Sequence, residues 1–175
     1  MSQPAGPGAD GSAPDNSRPC TDGGIPAERA VVVGVDGSDA SRAAIALAAR
    51  EARYRDAPLI AVQAYSGEPG LSPAAARTLT TLRAAEDERI DTELSLRQAV
   101  RDVLGEQADR VEIRVILGLA GRKIVETASR VNAQLIVLAT RGSTSLLLGT
   151  VSQYVLRKAP CPVLVVPAAS GAVLA

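Results

Sequence analysis

The 175-residue sequence has no histidine, no tryptophan and no phenylalanine, and only two cysteines. Without histidine, a His-ligated metal centre, a Ser-His-Asp triad and a Cys-His dyad are all excluded. Cys20 and Cys161 show no metal-ligand spacing. Cys20 lies in a polar stretch, and Cys161, between Pro160 and Pro162, reads as a small buried hydrophobe. Aromatics make up 2% of the chain, which leaves no platform for stacking nucleic-acid bases. Formal net charge is zero and no strongly basic run occurs, which argues against nucleic acid or an anionic membrane surface as main partner. No apolar run is long enough to span a bilayer, and the first residues lack the apolar core of a signal peptide. The expected location is a reducing cytoplasm.

What is present is aliphatic. The apolar fraction is 46%, so the core must be built from Ala, Val, Leu and Ile, which suits close packing of helices on a sheet. Residues 1–28 are rich in Gly, Pro, Ser, Ala and Asp and cannot bury enough surface to offset their ordering entropy. They are expected to form a disordered tail, with the folded domain over 29–168 and a short loose tail over 169–175.

Ala30–Asp36 is an uninterrupted apolar run ending in Asp36, as expected of a central parallel strand. Ser38 or Asp39 can cap the helix that follows to about Tyr54, with Ala43, Leu47, Ala48 and Ala52 on its inner stripe. Pro58–Ala64 is a second strand. Ser72-Pro73 reads as a cap and first turn opening a long helix to Leu104, with Leu79, Leu82, Ile90, Leu94, Val100 and Leu104 inward. Its opposite, charged face reads as solvated. Val111–Leu117 alternates apolar and polar residues, the pattern of an edge strand. Gly121–Val131 is a helix, Leu135–Ala139 a strand buried on both faces, and Gly149-Thr150 the start of a helix for which Thr150 is a candidate N-cap. Pro160 and Pro162 end it before a last buried strand, Val163–Val166.

Alternating strands and helices imply a single doubly wound, parallel, five-stranded α/β sheet of order 3-2-1-4-5, with helices on both faces. The winding direction then changes between the first and fourth strands. Asp36 and the turn after Ala139 face each other across that switch point, where such sheets bind ligands. A strand, a turn containing Gly142 and a helix N-terminus together suit an anion, because the first N–H groups of a helix lack internal partners.

Three segments resemble the universal stress protein family over about Ala30–Pro167. They are Val33-Gly34-Val35-Asp36-Gly37-Ser38, then Ala139-Thr140-Arg141-Gly142, then Leu147-Leu148-Gly149-Thr150-Val151-Ser152 followed by Ala159-Pro160-Cys161-Pro162 and Val163–Val166. The resemblance implies a Rossmann-like fold of the adenine nucleotide alpha hydrolase-like kind. It also implies ATP or a related adenine nucleotide as ligand, held by Gly34, Asp36, Ala64, Ala139, Gly142, Gly149, Thr150, Val151 and Ser152. In that scheme Asp36 lies near the sugar, the Ala64 backbone beside the base, and Gly142 and Gly149–Ser152 at the phosphates. Arg141 could neutralise phosphate charge, and Ser143, Thr144 and Ser145 could accept a phosphoryl group.

The family motif has glycine where Ala139 stands, and nine residues where this chain has Ser143–Leu148. A second reading is therefore a dimeric stress-response scaffold of the same fold that has lost nucleotide binding. The resemblance further implies a regulatory homodimer paired through Val163–Val166, since a bare apolar edge strand invites pairing. No Gly-Lys-Ser/Thr phosphate loop and no Ser-Gly-Gly loop after the first strand is present, so at most slow ATP hydrolysis is expected rather than an enzyme.

Overall fold

The computed structural model describes residues 29–66, 79–140 and 148–167. In chain order the elements are β1 (Val31–Gly34), α1 (Asp39–Tyr54), β2 (Leu59–Tyr65), α2 (Leu79–Leu104), a 3-10 turn (Gly105–Arg110), β3 (Val111–Leu117), α3 (Ala120–Arg130), β4 (Leu135–Ala139), α4 (Thr150–Lys158) and β5 (Val163–Val166). The five strands form one sheet of order β3-β2-β1-β4-β5, and every pairing is parallel. This is the doubly wound topology that the alternating pattern predicts.

Strand alternation divides the core into two. Val31 and Val33 of β1 and Val35 just beyond it, with Leu135 and Val137 of β4, face α1 and α2 and bury Ile45, Ala48, Leu96 and Val100. Val32 of β1, with Ile60, Val62, Ile136 and Leu138, faces α3 and α4 and buries Ile124, Ala128 and Val155. Each fully buried Val, Leu or Ile contributes about 1.5–3 kcal/mol of transfer free energy. Helices must come close to a sheet this poor in large side chains, and Gly34 marks a point of close approach. A Cβ there would lie 2.6 Å from Leu138 Cδ2 and 2.7 Å from Ile124 Cδ1.

Several local expectations are corrected. In α1 the buried stripe is Ala44, Ile45, Ala48 and Ala52; Ala43 is exposed and Leu47 half-buried. The helix is alanine-rich all round, with one large aliphatic on each stripe, and the row through Ala44, Ile45, Ala48 and Ala52 is the one that meets the sheet. In α2, Ile90 and Leu94 are exposed, whereas Leu96, which the pattern passes over, is fully buried with Val100. Leu96, Val100 and Val103 fall at i, i+4 and i+7, and that row rather than the Ile90–Leu94 row meets the sheet. The expected cap at Ser72 and Pro73, and the side chains of Leu79 and Leu82, lie outside the described residues. β5 is half-buried along its length rather than buried, because it closes the sheet at one edge. The charged face of α2 is solvated, with Arg89 bonded to Glu86 and Glu93, and Glu93 to Arg97.

Candidate functional site

All five strands are parallel, so their carboxyl ends share one edge. The strands do not end together there. β1 pairs with β2 as far as Gly34–Val62, and the Val35 N–H then donates to Val62 O at 2.9 Å. β4 pairs with β5 as far as Ala139–Val166, and the Thr140 N–H donates to Val166 O at 2.9 Å. Between β1 and β4, however, the last register pair is Val33–Val137. The sheet opens at the switch point while both flanking pairs remain zipped.

Asp36 stands at the β1 side of this opening and is exposed. Its Oδ1 accepts from the Ser38 N–H at 3.0 Å and from Ser38 Oγ at 2.5 Å. Gly37, at φ +78°, supplies the left-handed residue that this tight turn needs. Ser38 occupies the N-cap of α1, but its hydroxyl is spent on Asp36 and makes no cap bond, which corrects the expected capping role. Bracing the turn employs the Asp36 Oδ1.

On the β4 side, α4 begins at Thr150 with Gly149 as its N-cap, so Thr150 is the first helical residue and not the cap. Among the described residues no side chain caps this end. The first bond inside the helix runs from the Gln153 N–H to Gly149 O at 3.0 Å, so the N–H groups of Thr150, Val151 and Ser152 precede the helical ladder. Gln153 Nε2 also donates to Leu148 O at 2.7 Å and fixes the entry of the chain. Thr150 and Val151 are exposed and Ser152 is buried. Gly149 has extended backbone, φ −63° and ψ 164°, and a Cβ built there meets nothing within 4 Å. Neither backbone strain nor crowding by the described residues explains a glycine at this position.

The remaining expected site residues take distinct places. Ala64 lies near the end of β2, half-buried, paired with Ile116. Ala139 ends β4, and its methyl packs with the α1/α2 half of the core. α4 covers the opposite face through Val155, so this methyl is directed away from the α4 layer. Gly34 is at the same edge, with the space above it filled by Leu138 and Ile124. The structure therefore brings Gly34, Asp36, Ala64, Ala139, Gly149, Thr150, Val151 and Ser152 to one edge. Gly142, Arg141, Ser143, Thr144 and Ser145 lie outside the described residues.

One residue that sequence reading passed over belongs to this edge. Gln63 of β2 has its Oε1 buried without any hydrogen-bond partner. The signal was legible: Gln63 interrupts the apolar run Leu59–Ala64 at a position whose parity is that of the buried Leu59 and Ala61.

Electrostatic perturbation lies elsewhere. Hydrogen bonds from Arg89, Arg97 and Lys123 hold the carboxyls of Glu86, Glu93 and Glu126, respectively, below the usual carboxylate range. Burial pushes the Cys161 thiol up, in keeping with a half-buried cysteine packed against the α3/α4 core. Among the described residues no cluster of metal-ligating side chains occurs, and no helix is long and apolar enough to cross a membrane.

Known proteins bear on this edge. The model for the universal stress protein family matches residues 28–167. A universal stress protein of Thermus aquaticus is 34% identical over 147 residues, covering 79% of this chain and 98% of that protein. Among solved structures, the universal stress protein UspA from Lactobacillus plantarum superposes with a TM-score of 0.64 at 25% identity, over 81% of this chain and 99% of that one. A universal stress protein in complex with cAMP superposes with a TM-score of 0.52 at 31% identity, over 82% and 100%. With its fold, its sheet order and most of its length accounted for in this way, the chain belongs to the universal stress protein family.

Proposed function

We propose that this protein binds ATP or a related adenine nucleotide at the β1/β4 opening and acts as a regulatory dimer in stress response. The observation that carries the reading is the parting of β1 from β4 after Val33–Val137, with Asp36 on one rim and the uncapped start of α4 on the other. A carboxylate can accept from ribose hydroxyls, and a helix N-terminus favours phosphate. In this reading Ala64 lies beside the base, Asp36 beside the sugar, and Gly142 with Gly149–Ser152 at the phosphates. The family member solved with cAMP supports an adenine nucleotide as the ligand class.

Titration of the purified protein with ATP, ADP, AMP and cAMP by calorimetry tests it. Saturable heat with at least one is expected, reduced in Asp36→Ala. Flat traces with all four would transfer the protein to the second reading, a dimeric scaffold without nucleotide. That reading draws on Ala139, on the short stretch Ser143–Leu148, and on Asp36 already serving as a turn brace.

The dimer is proposed to form through β5. Ile136 N–H donates to Pro162 O at 3.0 Å and Thr140 N–H to Val166 O at 2.9 Å. In a parallel ladder this directs the backbone groups of Leu164 toward β4 and those of Val163 and Val165 toward the open edge. Val165→Pro deletes an outward N–H without touching the β4 ladder. Light scattering should read a dimer for the natural chain and a shift toward monomer for the variant. An unchanged mass would remove β5 as the interface.

A further inference from the structure

The carboxyl-terminal row of side chains on the α1/α2 face can be read strand by strand from the registers. Val115 pairs with Gln63, and Ala139 with Val166. Val35 stands level with Gln63, one step beyond the Gly34–Val62 pair. Val115, Val35, Ala139 and Val166 all pack with the α1/α2 core. The row from β3 to β5 is therefore Val, Gln, Val, Ala, Val. Its one polar member is also the one described residue with a sealed side-chain oxygen that has no partner.

Such an acceptor is costly to leave unmet, and native structures rarely do so without a reason. An apolar residue in the same place would fit this row better. Gln63 lies one residue before Ala64 and next to β1, on the side of the opening remote from α4. A ligand laid along this edge with its phosphates at α4 and its sugar at Asp36 would bring its base toward the end of β2. The terminal torsion of a glutamine is broad, so the carboxamide can turn at little cost and offer an acceptor and a donor side by side. Adenine presents the matching pair, an amino group next to a ring nitrogen, and glutamine reads that pair in other settings.

We propose that Gln63 is a specificity-determining residue that recognises the 6-amino edge of the bound base. This rests on the nucleotide-binding reading above.

The test combines one ligand change with one residue change. ATP and purine riboside 5′-triphosphate, which lacks only the 6-amino group, are titrated by calorimetry into the natural chain and into Gln63→Met, a substitution close in volume. The natural chain should bind ATP about 10-fold or more tightly than the analogue, because a site built for a hydrogen bond rejects a ligand without it. In Gln63→Met that preference should vanish through weaker ATP binding, while the ligand-free melting temperature holds or rises as the unmet acceptor is lost. A glutamine with a purely structural role would not give those two opposite responses. Gln63→Glu, which keeps an acceptor, should retain a preference for ATP and guards against a misfolded methionine variant. Equal binding of both ligands by the natural chain, or a preference that survives Gln63→Met, overturns the proposal and leaves nucleotide binding standing. Absence of heat with either ligand overturns both.

Discussion

The two ends of the sheet are finished in opposite ways. At the amino-terminal edge the helices arrive by their C-termini, and the backbone closes them. After α1 the Ala57 N–H reaches Ala52 O at 2.9 Å around Asp56, whose φ is 48°. After α3 the Ala133 N–H reaches Ala128 O at 2.9 Å around Asn132, whose φ is 46°. Both are closures in which a left-handed residue lets the chain satisfy its own last carbonyls. At the carboxyl-terminal edge α1, α3 and α4 start, and none of the three has a side-chain cap bond. Helix starts without a side-chain cap bond thus share one edge with the parted strands and the orphaned Gln63 oxygen.

A cleft lies at the other edge. It has a volume of about 830 Å³, is floored by Ala52, Leu59 and Val111 and is rimmed by Arg53, Glu106 and Arg110. Its size reflects where the ends of α1, α2 and the 3-10 turn fail to meet. The contrast teaches that volume alone is a weak guide in this fold. A ligand gains most where the protein has left polar groups unanswered, and on the proposed reading that is the opening between β1 and β4.

The contrast can be broken at its most rigid point. Gly34 supports the carboxyl-terminal edge from within, and Gly34→Val would drive its side chain into Leu138 and Ile124. Overpacking of this kind costs about 1–3 kcal/mol, occasionally more, so a clear fall in melting temperature is expected. Gly149 is the opposite case. Its backbone suits any L-residue and its surroundings are open, so Gly149→Val should change stability by no more than about 1 kcal/mol. The added side chain would instead occupy the approach to the α4 N-terminus, and nucleotide affinity should fall about 10-fold or more, as displaced charge-assisted bonds imply. If Gly149→Val binds normally, phosphate does not sit at α4. If Gly34→Val melts normally, the packing account of that glycine fails.

These two glycines also mark how far the sequence could be read. Apolar runs at strand length, separated by helical patterns, led to the sheet order once right-handed crossovers and one change of winding direction were applied to them. Asp36 and Gly149 could be placed at one edge for the same reason: parallel strands put every strand-to-helix turn on the same side. What periodicity could not give was which of two apolar rows a helix buries. In α1 the choice between Ala43 and Ala44 depends on where Ile45 fits, and in α2 the choice between Leu94 and Leu96 depends on the tilt of a long helix over β2 and β3. Nor could spacing separate the two glycines. One is a glycine because protein fills the space above it, and the other has open space, a distinction that exists only in three dimensions. Gln63 was visible as a polar residue in an apolar strand, but its lack of a partner depends on every neighbour at once.

The smallest effect is expected at the amino-terminal edge, and it is the sharpest test of the comparison. Arg53 and Arg110 are the cations that the large cleft could offer to a phosphorylated ligand. Both are exposed, and among the described residues neither is ion-paired with a carboxylate. If nucleotide bound there, removing both charges would weaken it strongly, since each charge-assisted bond contributes about 1.5–3 kcal/mol. If it binds between β1 and β4, the double substitution Arg53→Ala with Arg110→Ala acts only through screened, long-range attraction. Affinity should then change by no more than about twofold at physiological ionic strength, where charges more than about 8 Å apart are largely screened. Calorimetric titration of the double variant beside Gly149→Val separates the two edges: loss in the first with retention in the second would move the site to the large cleft and reverse the lesson drawn from the open helix ends.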